Sequence, residues 1–241
     1  MAQRGRLIAI VVAAALLLAA SGIITGEQTP RWQQEEAWET RVLKRALAGD
    51  VLYRDMFYGT GPLAIYLLQF WANLIHGGVA EPWLLRLQNF GAYLGHIAIL
   101  TWVLVRHVRA HPATTAMVAL ASFVWLRPFP NSTYNNVAFL FMAATLAAAF
   151  ERKWLWCGIA AGLAFCSKQN VGGLSLLFAL PFAWSDGGLR ASLRLCSGFV
   201  AILAACFTTV WIQGGLPGFI EFGFLAKGNY LQTGSLWPEW G

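Results

Sequence analysis

The sequence predicts an all-α integral membrane protein of about seven transmembrane helices, with two juxtamembrane helices in its first outer loop. Three observations predict it. Of 241 residues, 58% are hydrophobic and only 12% charged, which is too little polar surface to cover a water-soluble globule. Apolar runs recur along the chain, several near the ~20 residues that a helix needs to cross a hydrocarbon layer about 30 Å thick. The basic residues gather at one set of run ends, as expected where short cytoplasmic loops collect Lys and Arg. The excess of Lys and Arg over Asp and Glu, 17 against 11, does not point to nucleic acid, because the cations are scattered and form no basic face.

The expected spans are Leu7 to Ile24, Trp83 to Val105, Thr114 to Leu126, Val137 to Phe150, Trp154 to Ser167, Val171 to Trp184 and Leu195 to Ile212. Arg4 and Arg6 hold the N-terminus inside, as an anchor or as the basic region of a signal peptide. An eighth apolar run, Gly61 to Ile75, is read as not crossing. With that choice Arg106, His107, Arg109, Arg152, Lys153, Arg190 and Arg194 all fall on the cytoplasmic side, whereas a crossing would put them all outside. It also places nine of the eleven acidic residues outside: Glu27, Glu35, Glu36, Glu39, Asp50, Asp55, Glu81, Glu221 and Glu239. Trp83, Trp125, Trp154, Trp156, Trp184 and Trp211 lie at or near span ends, where an amphipathic ring prefers the interface. The expected organisation is a signal-anchor at 1–24, an outer loop at 25–82, a six-span bundle at 83–213 and an outer tail at 214–241.

Within the outer loop, residues 33–50 carry seven acidic or basic side chains. Thr29 and Pro30 have the form of a helix start and Gly49 of a stop, which gives a helix from Pro30 to Ala48. Trp38, Val42 and Ala46 share a stripe with Leu43 at its margin. Glu35 and Glu39 fall on the same stripe, and Arg41, Lys44 and Arg45 point away. An interfacial helix whose carboxylates pair with those cations accounts for the pattern. So does a carboxylate aimed at a reaction near the membrane surface. Gly61 to Ile75, with Pro62 near its start, reads as a second helix in or on the outer leaflet.

The segments "EEAWETRVLKRALAGDVLYRDMFYGTGPLAIYLLQFW", "WLLRLQNFGAYLGHIAILTWVLVRH" and "WLWCGIAAGLAFCSKQNVGGLSLLFALP" together resemble membrane glycosyltransferases of the GT-C superfamily that use polyprenyl-phosphate sugars. Glu35 and Glu36 stand at that pattern's acidic pair, Gly49 and Tyr53-Arg54-Asp55 at its G-x-x-Y-R-D element, and Gly61-Pro62-Leu63 at its G-P-L helix. Phe165 with Lys168-Gln169 stands at its L-x-F-x-x-K-Q segment. The resemblance implies a catalytic base at Glu35 or Glu36, where the family usually has Asp. It also implies a longer chain, of which these residues form the N-terminal module. The implied chemistry is inverting transfer: a carboxylate takes the acceptor hydroxyl's proton as the oxygen attacks the anomeric carbon, and polyprenyl phosphate leaves from the opposite face. Lys168 is the candidate to neutralise that phosphate, with Arg54, beside Asp55, as a second. Tyr134 and Asn135, with Asn229 and Tyr230, are candidates to bind sugar hydroxyls. The partners so implied are the bilayer, the polyprenyl-phosphate sugar and a lipid, glycan or protein acceptor, with no cofactor.

Other signals are weaker. Cys157, Cys166, Cys196 and Cys206 lack metal-ligand spacing, and His76, His96, His107 and His111 are not clustered, so no metal site is expected. Gly158 and Gly162 form a GxxxG that signals close packing. Asn131-Ser132-Thr133 matches a glycosylation sequon that chance supplies often. The alternative function is a non-enzymatic multispan protein, a transporter or an assembly subunit of a glycan-export complex. The absence of a mid-span Asp or Glu and of an internal repeat weighs against transport.

Overall fold

A computed structural model describes residues 30–126 and 133–225 of the chain. Most of the described residues are helical, and the loop between the first two helices holds an isolated bridge between Leu52 and Met56. The expected span Leu7 to Ile24, the sequon, Asn229 and Tyr230 lie outside them. The helices are α1 (Pro30–Leu47), α2 (Leu63–His76), α3 (Pro82–Val103, continued by a π-helical turn Leu104–Val108), α4 (Pro112–Leu126) and α5 (Thr133–Phe150). They are followed by α6 (Trp154–Ser167), α7 (Gln169–Ile212) and α8 (Leu216–Ile220, continued by a second π-helical turn Glu221–Leu225).

The expectation of about seven spans is corrected here. Among the described residues two helical elements are long and apolar enough to cross a membrane, Pro82–Val108 and Gln169–Ile212. Length is the physical reason. At 1.5 Å per residue, the 14-residue α6 reaches only about 21 Å, short of a hydrocarbon layer of about 30 Å. The apolar stretches of α4 and α5 are shorter than the two long elements as well. The runs expected as separate spans, Val171 to Trp184 and Leu195 to Ile212, belong to one 44-residue element, α7, interrupted at Gly187 and Gly188. Gly188 has φ 57° and ψ −142°, a conformation that side chains with a Cβ rarely adopt, so glycine sets the break.

The arms of α7, 169–186 and 189–212, fold against each other and against α6. Ala179 and Ala183 of the first arm and Ala191 and Leu195 of the second share one cluster with Trp154 and Cys157. The GxxxG of α6 makes that seam. A methyl on Gly158 would run into the Leu195 carbonyl oxygen, and one on Gly198 into the Leu155 carbonyl oxygen. The motif therefore packs helices within the chain.

A second core lies at one end of the bundle. Val42 and Leu43 of α1, Leu52, Tyr53, Met56 and Tyr58 of the connecting loop, and Ile65 and Leu68 of α2 pack with Val210 of α7 and Phe219 of α8. The stripe expected to touch lipid thus faces protein: Val42, Leu43 and Ala46 are all buried. Trp38 stacks on Tyr58 with ring centroids 5.3 Å apart. Large apolar side chains of α7, among them Leu177, Phe178, Phe182, Leu193 and Trp211, point outward.

Candidate functional site

The end of the bundle beneath α1 is built around the junction of α6 and α7. Lys168 is the one non-helical residue between them, extended at φ −148° and ψ 112°. Its N–H closes α6 on Ala164 at 2.8 Å, and its carbonyl accepts the N–H groups of Val171 and Gly172, starting α7. α7 then leaves close beside α6, because Gly172 lies where any Cβ would strike the Phe165 backbone. Gly61 seats against the same junction. Its N–H donates to the Ser167 carbonyl at 3.2 Å, and a methyl there would collide with the Cys166 carbonyl. Close backbone approach thus explains the glycine of the G-P-L element.

At this junction three sequence candidates from two distant segments meet. The Lys168 ammonium donates to Asn135 Oδ1 at 2.5 Å and lies 5.5 Å from the centre of the Tyr134 ring. A cation over an aromatic face, held by an amide oxygen, is fixed in place. Tyr134 in turn acts on Tyr58, which stacks on Trp38 and also feels the Glu39 carboxylate of α1. Burial first, and then Glu39, push the Tyr58 phenol well above its ordinary range, so it stays protonated.

The carboxylates of α1 separate into different environments. Glu35 lies in the helix, and its side chain lies outside the described part of the structure. Glu36 is 7% exposed and bound through both oxygens by Arg86 of α3, at 2.8 and 2.9 Å. Such a two-point guanidinium contact orients a carboxylate and occupies the lone pairs a base would use. Glu39 is fully buried. Sequence reading placed Glu39 on the apolar stripe without giving it a role, and it passed over Arg86. The signal for Arg86 was a lone cation in the first turns of an apolar helix, which calls for a buried partner.

Arg54 and Asp55 engage each other. Asp55 accepts from Arg54 at 3.0 and 2.8 Å and from the Val51 N–H at 2.8 Å, and Arg54 also donates to the Gln213 carbonyl at 3.3 Å. Arg54, next the Val51 N–H, hold the Asp55 carboxyl down at about 2. The pair ties the loop between α1 and α2 to the end of α7. Tyr53, at φ 68°, buries its ring there and donates to the Thr60 carbonyl at 2.5 Å. Tyr66 adds a bond to Gln213 Oε1 at 2.6 Å.

Several buried polar atoms around this layer have no hydrogen-bond partner: Thr40 Oγ1, Gln88 Oε1 and both side-chain polar atoms of Asn89. Each such group costs about 1–3 kcal/mol while it stays unpaired. Among the described residues there is no cluster of His, Cys, Asp and Glu suited to a metal ion. Comparison with known proteins finds no matching family model, no matching curated protein and no matching solved structure.

Proposed function

We propose that the chain is a membrane-held transferase that moves a sugar from a polyprenyl-phosphate donor to an acceptor hydroxyl of a lipid, glycan or protein, with inversion. The observation that carries this reading is the meeting of Lys168, Tyr134 and Asn135 at one helix junction, close to the helix that bears Glu35, Glu36 and Glu39. In this reaction Glu35 takes the proton of the acceptor hydroxyl, whose oxygen forms the new bond to the anomeric carbon. The bond from that carbon to the phosphate oxygen breaks on the opposite face, and polyprenyl phosphate leaves with the electron pair. The Lys168 ammonium neutralises the leaving phosphate. Glu36, locked on Arg86, positions α1. Arg54 and Asp55 hold the loop, and Tyr134 and Asn135 aim Lys168 and border the sugar.

The two long apolar elements hold the protein in the membrane, multi-pass, with the N-terminus cytoplasmic and the Lys168 end at the outer, periplasmic face of the cell or inner membrane. The basic residues support that orientation, since Arg106, Arg152 and Lys153 gather at the other end. The test is transfer from radiolabelled polyprenyl-phosphate sugars in membranes, comparing wild type with Glu35→Gln, Glu36→Gln and Lys168→Ala. Loss of turnover in Glu35→Gln and Lys168→Ala is expected; unchanged turnover in all three sinks the assignment. Arg109→Cys, in a chain whose own cysteines are replaced, is expected to resist labelling from outside.

A further inference from the structure

We propose that Asn89 reads the sugar of the donor, by hydrogen-bonding its hydroxyls between Tyr58 and Tyr134. The amide is 3% exposed, and neither its oxygen nor its nitrogen has a partner. Beside it, Gln88 donates its Nε2 to the Ala64 carbonyl at 3.0 Å and leaves its Oε1 unpaired. Buried polar groups are nearly always paired, so an amide left open at both ends calls for a partner from outside the chain.

The position of Asn89 on α3 says where that something lies. Leu85, Asn89 and Ala92, at i, i+4 and i+7, share one face of the helix. Leu85 packs in the cluster that holds Tyr58 and Leu43, and Ala92 in the cluster that holds Ala64 and Val137, with Tyr134 against it. Asn89 thus lies on the helix face that runs from the Tyr58 cluster to the Tyr134 cluster. It is also one turn from Arg86, which grips Glu36 of α1. The chemistry of the open atoms selects the ligand. An amide oxygen needs a donor and an amide nitrogen an acceptor, and Gln88 Oε1 needs another donor. A phosphate only accepts, so it would leave both oxygens unsatisfied. Neighbouring sugar hydroxyls donate and accept together. A site built this way discriminates against a ligand that lacks the hydroxyls, because its own groups are then left unpaired.

The identity of the ligand rests on the transfer reaction proposed above, so the test reads binding rather than turnover. Full-length protein in lipid nanodiscs is titrated with radiolabelled polyprenyl-phosphate sugar and with polyprenyl phosphate alone. Wild type is expected to prefer the sugar-bearing lipid by about tenfold, the worth of one or two hydrogen bonds. Asn89→Leu, similar in volume and apolar, is expected to lose that preference, to bind the sugarless lipid as before, and to unfold at the same temperature or higher. Asn89→Ser carries the same test should the leucine variant fail to accumulate. Three results each overturn the proposal: no preference in wild type, a preference intact in the variants, or equal loss of both lipids with a lower unfolding temperature, which marks an amide that serves the fold. Failure of the transfer reaction looks different, as a wild type that prefers the sugar-bearing lipid and transfers nothing.

Discussion

The two ends of the helical bundle carry opposite solutions to the placement of charge. At the α6–α7 junction several charges are taken inside, Glu36 on Arg86, Glu39 fully buried and a half-buried Lys168 against Tyr134 and Asn135, while the Arg45–Asp50 and Arg54–Asp55 pairs stay on the solvent-facing loop. At the other end no ion pair among the described residues is taken inside, and the long cations stay in solvent. Glu151 is shared by Arg106 at 3.3 Å, His107 at 3.1 Å and Lys153 at 3.8 Å, and Asp186 by Arg152 at 3.0 Å and Trp154 Nε1 at 2.9 Å. Arg152, with 76% of its side chain exposed, is typical of that end. Solvent and salt weaken pairs of the exposed kind, so each of them matters little by itself. A buried charge interacts with more energy and costs more when left alone. The junction end is therefore where a single substitution should matter and where a charged reactant gains most from being met.

Transfer assays give the largest expected contrast. Lys168→Ala is expected to lower turnover about 10²–10³-fold, the cost of removing a preorganised charge from a leaving group. Glu35→Gln is expected to fall roughly 10²–10⁴-fold, as for loss of a general base. Arg152→Ala, at the exposed end, is expected to stay within about twofold. Equal losses at both ends would break the comparison.

How much of this was legible in the sequence follows the same division. That Arg106, His107, Arg152 and Lys153 share one end was readable from their positions between apolar runs. α1 and α2 were readable from their caps and breaks, and α1 ends at Leu47 beside the expected stop at Gly49. Lys168, Tyr134 and Asn135 were named singly, but that they touch depends on how α5 meets the α6–α7 junction, which no local pattern encodes. Arg86 and Asn89 were missed for the same reason. Hydropathy treats them as blemishes in an apolar helix, and their meaning lies in partners 50 residues away or, for Asn89, in the lack of one. The number of spans was overcounted because apolar composition measures burial in protein as well as in lipid, and Trp154, Cys157, Ala160 and Ala161 of α6 are buried in protein.

Stability measurements sharpen the contrast at a smaller scale. Arg86→Met leaves the Glu36 carboxylate buried without its partner. With part of the Arg86 side chain in solvent, roughly 2–3 kcal/mol of destabilisation is expected in thermal unfolding, with much of it recovered in the Glu36→Leu/Arg86→Met double variant. Asp186→Asn, which weakens one bond at the exposed end, is expected to cost only about 0.5–1 kcal/mol. Between the ends, Gly158→Ala drives a methyl against the Leu195 carbonyl. A loss of about 1–3 kcal/mol is expected, and an unchanged unfolding temperature would mean that the α6–α7 seam can open without cost.

The smallest effect concerns the loop that links α1 to α2, where the junction end does reach solvent. Asp55 is exposed, and its carboxyl sits at about 2 in the folded chain against an ordinary 3.8, held there by Arg54 and the Val51 N–H. A carboxyl depressed by folding contributes stability that is complete above its unfolded value and is lost as the pH falls through the folded one. The loop at residues 50–56 should therefore hold its amide protection from neutral pH down to about 4 and lose it progressively toward about 2. Salt should soften the effect, because the pair lies in water. Hydrogen exchange at the Val51 amide, which donates to Asp55 at 2.8 Å, reads the change directly. Asp55→Asn should exchange fast at every pH. If wild type and variant exchange alike across that window, the loop is held by Tyr53 and its packing on Phe219 and not by the exposed pair, and the rule that surface charge matters little extends to both ends.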